Sequence, residues 1–138
     1  FAAGLVVATS GGETITFADG TSINVTISAA GDVTTTGTVT ANSDIKLKTN
    51  IKTISDALNK VLNLRGVTYD RIDSGEHQIG VIAQEVEKII PEVVHINEET
   101  DIRSVAYQNI VAVLIEAIKE QQVQINELKN DIKKLKDE

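Results

Sequence analysis

The sequence predicts an α+β chain in three parts: a β-stranded N-terminal segment, a small mixed body built on hairpins, and a long C-terminal coiled-coil helix. Three observations lead there. Residues 1–42 contain no Lys or Arg and interleave Thr with Val, Ile and Phe, a composition suited to strands. Residues 51–106 change between helical spacing of apolar residues and short β-branched runs separated by turn residues. From Tyr107 the apolar spacing settles into 4-3-4-3 and keeps it to the end.

Composition narrows the function classes. The 138 residues leave room for one ordinary domain or two small ones. A net charge of -7 argues against a nucleic-acid surface, which needs a basic stripe, and aromatics at 3% make base-stacking platforms unexpected. Cysteine is absent, so disulfides and thiolate metal sites are excluded. His77 and His95 lack a ligand cluster, so neither a metal nor a cofactor is expected. The chain opens at Phe1 and has no Met, which reads as a fragment of a longer protein. The apolar run at residues 2–8 is too short to span a bilayer, and no membrane partner is expected. A small domain with few aromatics has a thin core, which points to burial against partner chains.

In the first segment, alternating runs occur at residues 13–17, 22–27 and 32–36. Gly11 and Gly12, Asp19 and Gly20, Gly31 and Asp32, and Gly37 bound them as turns. Strands with so few large side chains do not make a stable monomer. The reading is an intertwined β-stalk in which identical chains share one core; the alternative is a loose β-rich linker.

In the body, Ile51, Ile54, Leu58, Val61 and Leu62 recur at helical spacing, predicting a helix over residues 51–64 that stops before Gly66. Strands follow at 67–72 and 78–82 around a turn at 73–76, then a short helix at 83–90 closed by Pro91. A second hairpin is expected from strands at 93–96 and 102–105 around the acidic turn 97–101. In the last part, Val111, Ile118, Ile125 and Ile132 fall at heptad positions a, and Tyr107, Leu114, Gln121, Leu128 and Leu135 at d. Lys129, Asp131, Lys136 and Glu138 at e and g suit a parallel coiled coil, and Gln121 is a polar core position able to fix register. Ile at a with Leu at d favours two strands by rule.

The chemistry sits at the seam between the first two parts, in Ser43, Asp44, Ile45, Lys46, Leu47 and Lys48. Serine is a nucleophile only when a base removes its proton. A neutral Lys can be that base, which requires its ordinary pKa of about 10.4 to fall to roughly 7–8 through burial or a nearby cation. Lys46 is a candidate cation and Asp44 a candidate orienting group. In an extended strand Ser43 and Lys48 point to opposite faces roughly 16 Å apart, and in a helix a five-residue spacing also misses a shared face. A dyad therefore needs a sharp bend or a Lys48 from another chain. On spacing alone the competing reading is a helix N-cap at Ser43 and Asp44. Gln84 and Glu85 form a polar pair that either supports the site or opens a solvated helix.

The run from Ser43 to Ile51 resembles the opening motif of the endosialidase-type intramolecular chaperone domain of phage tail fibres, tailspikes and neck appendages. Three further blocks match in order: Gly66, Val67, Thr68 and Tyr69; Ile79 to Val86 with Pro91 to Val94; and Ser104 to Tyr107 leading into Leu114 to Ala117. One departure is Ala106, where the family usually has Asp. The resemblance covers residues 43–138, and residues 31–40 look like the fibre end that precedes such a domain.

It implies a homotrimeric folding clamp for a triple-stranded β-helical stalk, the chain's own N-terminal segment being the client. It further implies a single-turnover serine endopeptidase that cuts its own chain between Asn42 and Ser43, with Ser43 as nucleophile and Lys48 as general base. Asp44, Gln84 and Glu85 are possible supporting residues. The implied location is the virion, with the released clamp left in the host cytoplasm. The domains expected are then a stalk end at 1–42, a body at 43–106 and a coiled-coil helix at 107–138. The rival expectation is a trimerisation cap or receptor-binding tip that never cleaves.

Overall fold

A computed structural model describes residues 15–18, 23–28 and 32–137. The expected turns at Gly11, Gly12, Asp19, Gly20 and Gly31 lie outside the described residues, as does the apolar run at 2–8. The chain is α+β, as expected, and divides into two compact units, Phe1–Asn50 and Ile51–Glu138.

In the first unit the Thr-rich runs are strands: β1 (Ile15–Ala18), β2 (Ile23–Ile27) and β3 (Val33–Thr35). They pair antiparallel in the order β1-β2-β3, with a register shift between Phe17 and Ala18. The turn into β3 is closed locally: Ser28 N donates to Asp32 O, and Asp32 N donates to Ser28 Oγ. Residues 36–44 then run without regular structure to a single 3-10 turn at Ile45–Leu47.

The second unit begins with an irregular stretch, and here the expected helix over 51–64 is corrected. The helix α1 spans only Ala57–Asn63. Asp56 sits in the left-handed region at φ 56, which ends any helix running toward it from Ile51. Asp56 makes no side-chain cap. The strands β4 (Gly66–Asp70) and β5 (His77–Val81) form the first hairpin, with Tyr69 opposite Gln78. A short helix α2 (Ala83–Glu87) follows, then a Pro-initiated 3-10 turn at Pro91–Val93. The second hairpin pairs β6 (Val94–Asn97) with β7 (Ile102–Val105). The last helix, α3, spans Ile110–Asp137.

The core is small and made of short side chains: Ala57, Val86, Ile90, Val93, Val113 and Ala117 are buried, with Ile54, Leu58, Val61 and Ile110 packed against them. Ala57 and Ala117 let α1 and α3 approach closely, since neither carries more than a methyl group to the interface. The stripe of α3 that packs here is Ile110, Val113 and Ala117, not the heptad seam. The seam itself is open: Val111, Ile118 and Ile132 are 56%, 65% and 52% exposed, and Leu114, Ile125, Leu128 and Leu135 are exposed too. One d position is corrected. Tyr107 precedes α3 in a 3-10 turn, and its hydroxyl accepts a hydrogen bond from Val81 N at 3.2 Å. It closes over β5 so tightly that a Cβ on Gly80 would lie 2.7 Å from Tyr107 Oη.

The β4–β5 tip is held by Arg71, whose guanidinium binds the Asp73 carboxylate, and by Gly75 at φ 72. The Arg71 hydrogen bond is the main cause that holds the Asp73 carboxyl down at about 2, against an ordinary value near 4. A depressed carboxyl stabilises the folded tip above the ordinary value, and that contribution fades as pH falls from about 4 through about 2. NMR titration of the Asp73 side-chain carboxyl carbon should place its midpoint near the lower value; a midpoint near 4 would remove Arg71 as a working partner.

Candidate functional site

Ser43 and Lys48 are brought together within one chain. The backbone is extended at Asp44 (φ -61, ψ 140), makes one 3-10 turn at Ile45–Leu47, and is extended again at Lys48 (φ -129, ψ 145). The five-residue spacing is thus neither a strand nor a helix but a U-turn. Asp44 builds it twice over. Its side-chain Oδ1 accepts from Lys46 N at 2.8 Å, and its carbonyl accepts from Leu47 N at 3.1 Å. Lys48 N then donates to Ile45 O at 3.1 Å. The sharp bend that a pair within one chain needs is present.

At the end of the turn, Lys48 Nζ lies 2.6 Å from Ser43 Oγ and 3.0 Å from the Ser43 carbonyl oxygen. The pair is exposed, as are Ile45 and Leu47 on the same turn. Lys48 Nζ is placed to donate to both oxygens of Ser43.

Gln84 and Glu85 belong to the second unit. Glu85 forms a two-bond pair with Arg65, at 2.5 and 3.1 Å, and this hydrogen bonding holds its carboxyl below the usual range. Gln84 is exposed and lines an open cavity of about 420 Å³ with Tyr69, Arg103 and Tyr107. His77 Nδ1 meets Asp70 Oδ1 at 2.7 Å across the first hairpin. Among the described residues no group of three or more His, Asp or Glu is placed to hold a metal, and no helix is long and apolar enough to cross a membrane.

Sequence reasoning missed Glu120. Its carboxylate, on α3, accepts from Ala57 N at 2.9 Å and Leu58 N at 2.8 Å, and so caps α1 from sixty residues away. The available signal was a second stripe on α3, in which Val113, Ala117 and Glu120 recur at helical spacing beside the heptad.

A small α+β unit that ends in a long helix, preceded in the sequence by a paired Ser and Lys, defines the class to compare. Residues 43–95 match the family described as chaperone of endosialidase, named as a peptidase family, the same family that the four sequence blocks resemble. The chain is 36% identical over 98 residues to the long tail fiber protein Gp37 of Enterobacteria phage K3, covering 65% of this chain and 8% of that protein. It is 33% identical over 106 residues to Gp37 of Salmonella phage S16, covering 70% of this chain and 14% of that protein. Against Gp37 of Enterobacteria phage Ox2 the figures are 38% identity over 96 residues, 63% of this chain and 38% of that protein. The chain therefore spans a minor part of the length of each of these fibre proteins.

Proposed function

We propose that this chain is a fibre-associated intramolecular chaperone that assembles as a homotrimer, brings the β-strands of its own stalk together, and then releases itself by cutting between Asn42 and Ser43. The family match and the fibre relatives support the chaperone role. The 2.6 Å contact between Lys48 Nζ and Ser43 Oγ is the observation that carries the chemistry.

In the reaction, Ser43 Oγ attacks the carbonyl carbon of Asn42 while its proton passes to the Lys48 amine. The tetrahedral intermediate collapses as the Lys48 ammonium returns that proton to Ser43 N. The C–N bond breaks, leaving Asn42 joined to Ser43 Oγ as an ester and Ser43 with a free amine. Water then opens the ester, giving a carboxylate on Asn42 and the hydroxyl on Ser43. Attack within one residue carries a large effective molarity, worth up to about 7–11 kcal/mol of barrier. Asp44 acts on the turn rather than on the proton, because its carboxylate is engaged with Lys46 N.

The turn does not by itself supply dryness. Ser43, Lys48, Ile45 and Leu47 are all exposed in the single chain, and assembly supplies the cover. The open a/d seam of α3 is the assembly surface. A coiled coil joins the chain ends early and raises the strands' effective concentration for one another, which a Gly- and Thr-rich stalk of weakly specified register needs. Once the clamp is cut away, an unfolded stalk has no element to restart assembly, so the fibre gains kinetic stability. The location is then the virion.

Intact mass under denaturing conditions tests the reading. Wild type is expected to split into two pieces, the second beginning at Ser43, while Ser43→Ala remains whole and assembled. A wild-type chain that stays whole in a folded trimer would overturn cleavage and leave a permanent trimerisation cap.

A further inference from the structure

Two surface features of the second unit match in charge and are not used by the cleavage chemistry. The first is an open groove of about 480 Å³ between α1 and α2, lined by Lys60, Arg65 and Lys88 with Glu85 as its one carboxylate. Glu85 is already bound by Arg65. Lys60 donates to the Ser55 carbonyl at 3.1 Å, and Lys88 is exposed on the rim. In a chain of net charge -7, this groove is a local cationic surface.

The second is the β6–β7 turn. It is rigidly built: Asn97 Oδ1 accepts from Glu99 N at 3.0 Å and Thr100 N at 3.1 Å, and Asp101 N donates to Asn97 O at 2.8 Å. Asp101 takes the left-handed conformation and pairs with Arg103, which Glu87 also holds. Glu98 and Glu99 are left at the apex, exposed, and among the described residues neither takes part in an ion pair. The turn is a preorganised acidic knuckle, so little side-chain or backbone ordering remains to be done on docking.

We propose that the Glu98–Glu99 knuckle of one copy of this chain docks in the Lys60–Arg65–Lys88 groove of the next. Knuckle and groove make no ion pair with each other within one chain, which leaves both open to a second copy. It is head-to-tail, one copy's turn against the neighbour's groove, and such contacts close into a ring when the rotation allows. The contact rests on the proposed assembly through the exposed seam of α3, whose neighbours would carry both features. A heptad with a polar d position at Gln121 sets register along the axis. The lateral charge contact sets which flank of each neighbour is met. Rim charges of this kind act mainly on association rate, through steering that salt screens.

The test follows assembly of the full chain after refolding, at low and high salt, by chemical cross-linking. Lys88→Glu is expected to slow assembly about tenfold at low salt and much less at high salt. Glu98→Lys with Glu99→Lys is expected to slow it as well. That direction is diagnostic, because those changes reduce the net negative charge and would speed assembly if general repulsion were the only force. Combining all three substitutions should restore most of the rate. Faster assembly of the Glu→Lys chain, or additive loss in the combined variant, would overturn the contact. A second readout does not depend on rates. The chain has no Cys, so mixing Lys88→Cys chains with Glu98→Cys chains of different mass and adding a short bis-maleimide reports this pair as the dimer of unlike chains, with each variant alone as the control for like-chain cross-links. A covalent dimer of unlike chains is expected, and its absence in an assembled sample overturns the proposal. Neither readout involves Ser43 or Lys48, so this contact and the cleavage reaction stand or fall separately.

Discussion

Replacing Lys48 by arginine is expected to stop cleavage almost completely while leaving the chain folded and assembled. Arg keeps the positive charge, the reach, and the capacity to donate to Ser43 Oγ and to the Ser43 carbonyl, both of which Lys48 Nζ now contacts. It differs in the one property that the proposed chemistry needs: a guanidinium does not give up its proton in a protein. General-base assistance contributes about 10²–10⁴-fold, which corresponds to roughly 3–5 kcal/mol of barrier. A time course of intact mass on a single refolding should show that loss. Lys46→Arg is the matched control, since Lys46 enters the turn through its backbone N–H, and it should cleave near the wild-type rate. If Lys48→Arg also cleaved normally, Lys48 would be an electrostatic or structural group and the base would have to be sought elsewhere.

Glu120→Ala is expected to give the largest loss of stability among changes that remove no apolar core side chain. Its carboxylate accepts from Ala57 N and Leu58 N, and Ala57 is fully buried. Without it, the two first donors of α1 lose their partner, one of them out of reach of water. Charge-assisted bonds of this kind, and the cost of leaving a buried donor unmet, together come to roughly 2–4 kcal/mol. The helix dipole adds to the preference for an anion there. Glu120→Gln, which keeps one acceptor and loses the charge, should fall about midway. Urea unfolding of the assembled chain would read both, and an Ala variant within about 0.5 kcal/mol of wild type would show that the cap is not a working contact. The consequence is broader than one helix, because Glu120 ties α3 directly to α1.

Much of the architecture was legible because it is local. Thr-rich alternation predicted strands where β1, β2 and β3 lie, and the acidic turn predicted the β6–β7 hairpin whose second strand runs over the expected residues; the helix expected over 83–90 ends earlier, at Glu87, and Pro91 instead opens a 3-10 turn. The heptad spelled out a long helix, found as α3. Ser43 and Lys48 were legible as a candidate pair, since a hydroxyl and an amine at a compositional seam can be read in one dimension, and the family resemblance implied roles for them. Other features depended on residues distant in sequence. Where α1 begins was decided by a carboxylate sixty residues away, so no local pattern at 51–56 could reveal it. Tyr107 reads as a seam residue by spacing but closes on β5, because its hydroxyl finds the Val81 N–H. The spacing of Ser43 and Lys48 left a bend and a second chain equally open. Within one chain the bend forms through the Asp44 side-chain and backbone hydrogen bonds, which bring Lys48 Nζ back to 2.6 Å from Ser43 Oγ. Periodicity and residue type are properties of the chain alone, whereas a cap, a closure and a contact depend on which groups folding places side by side.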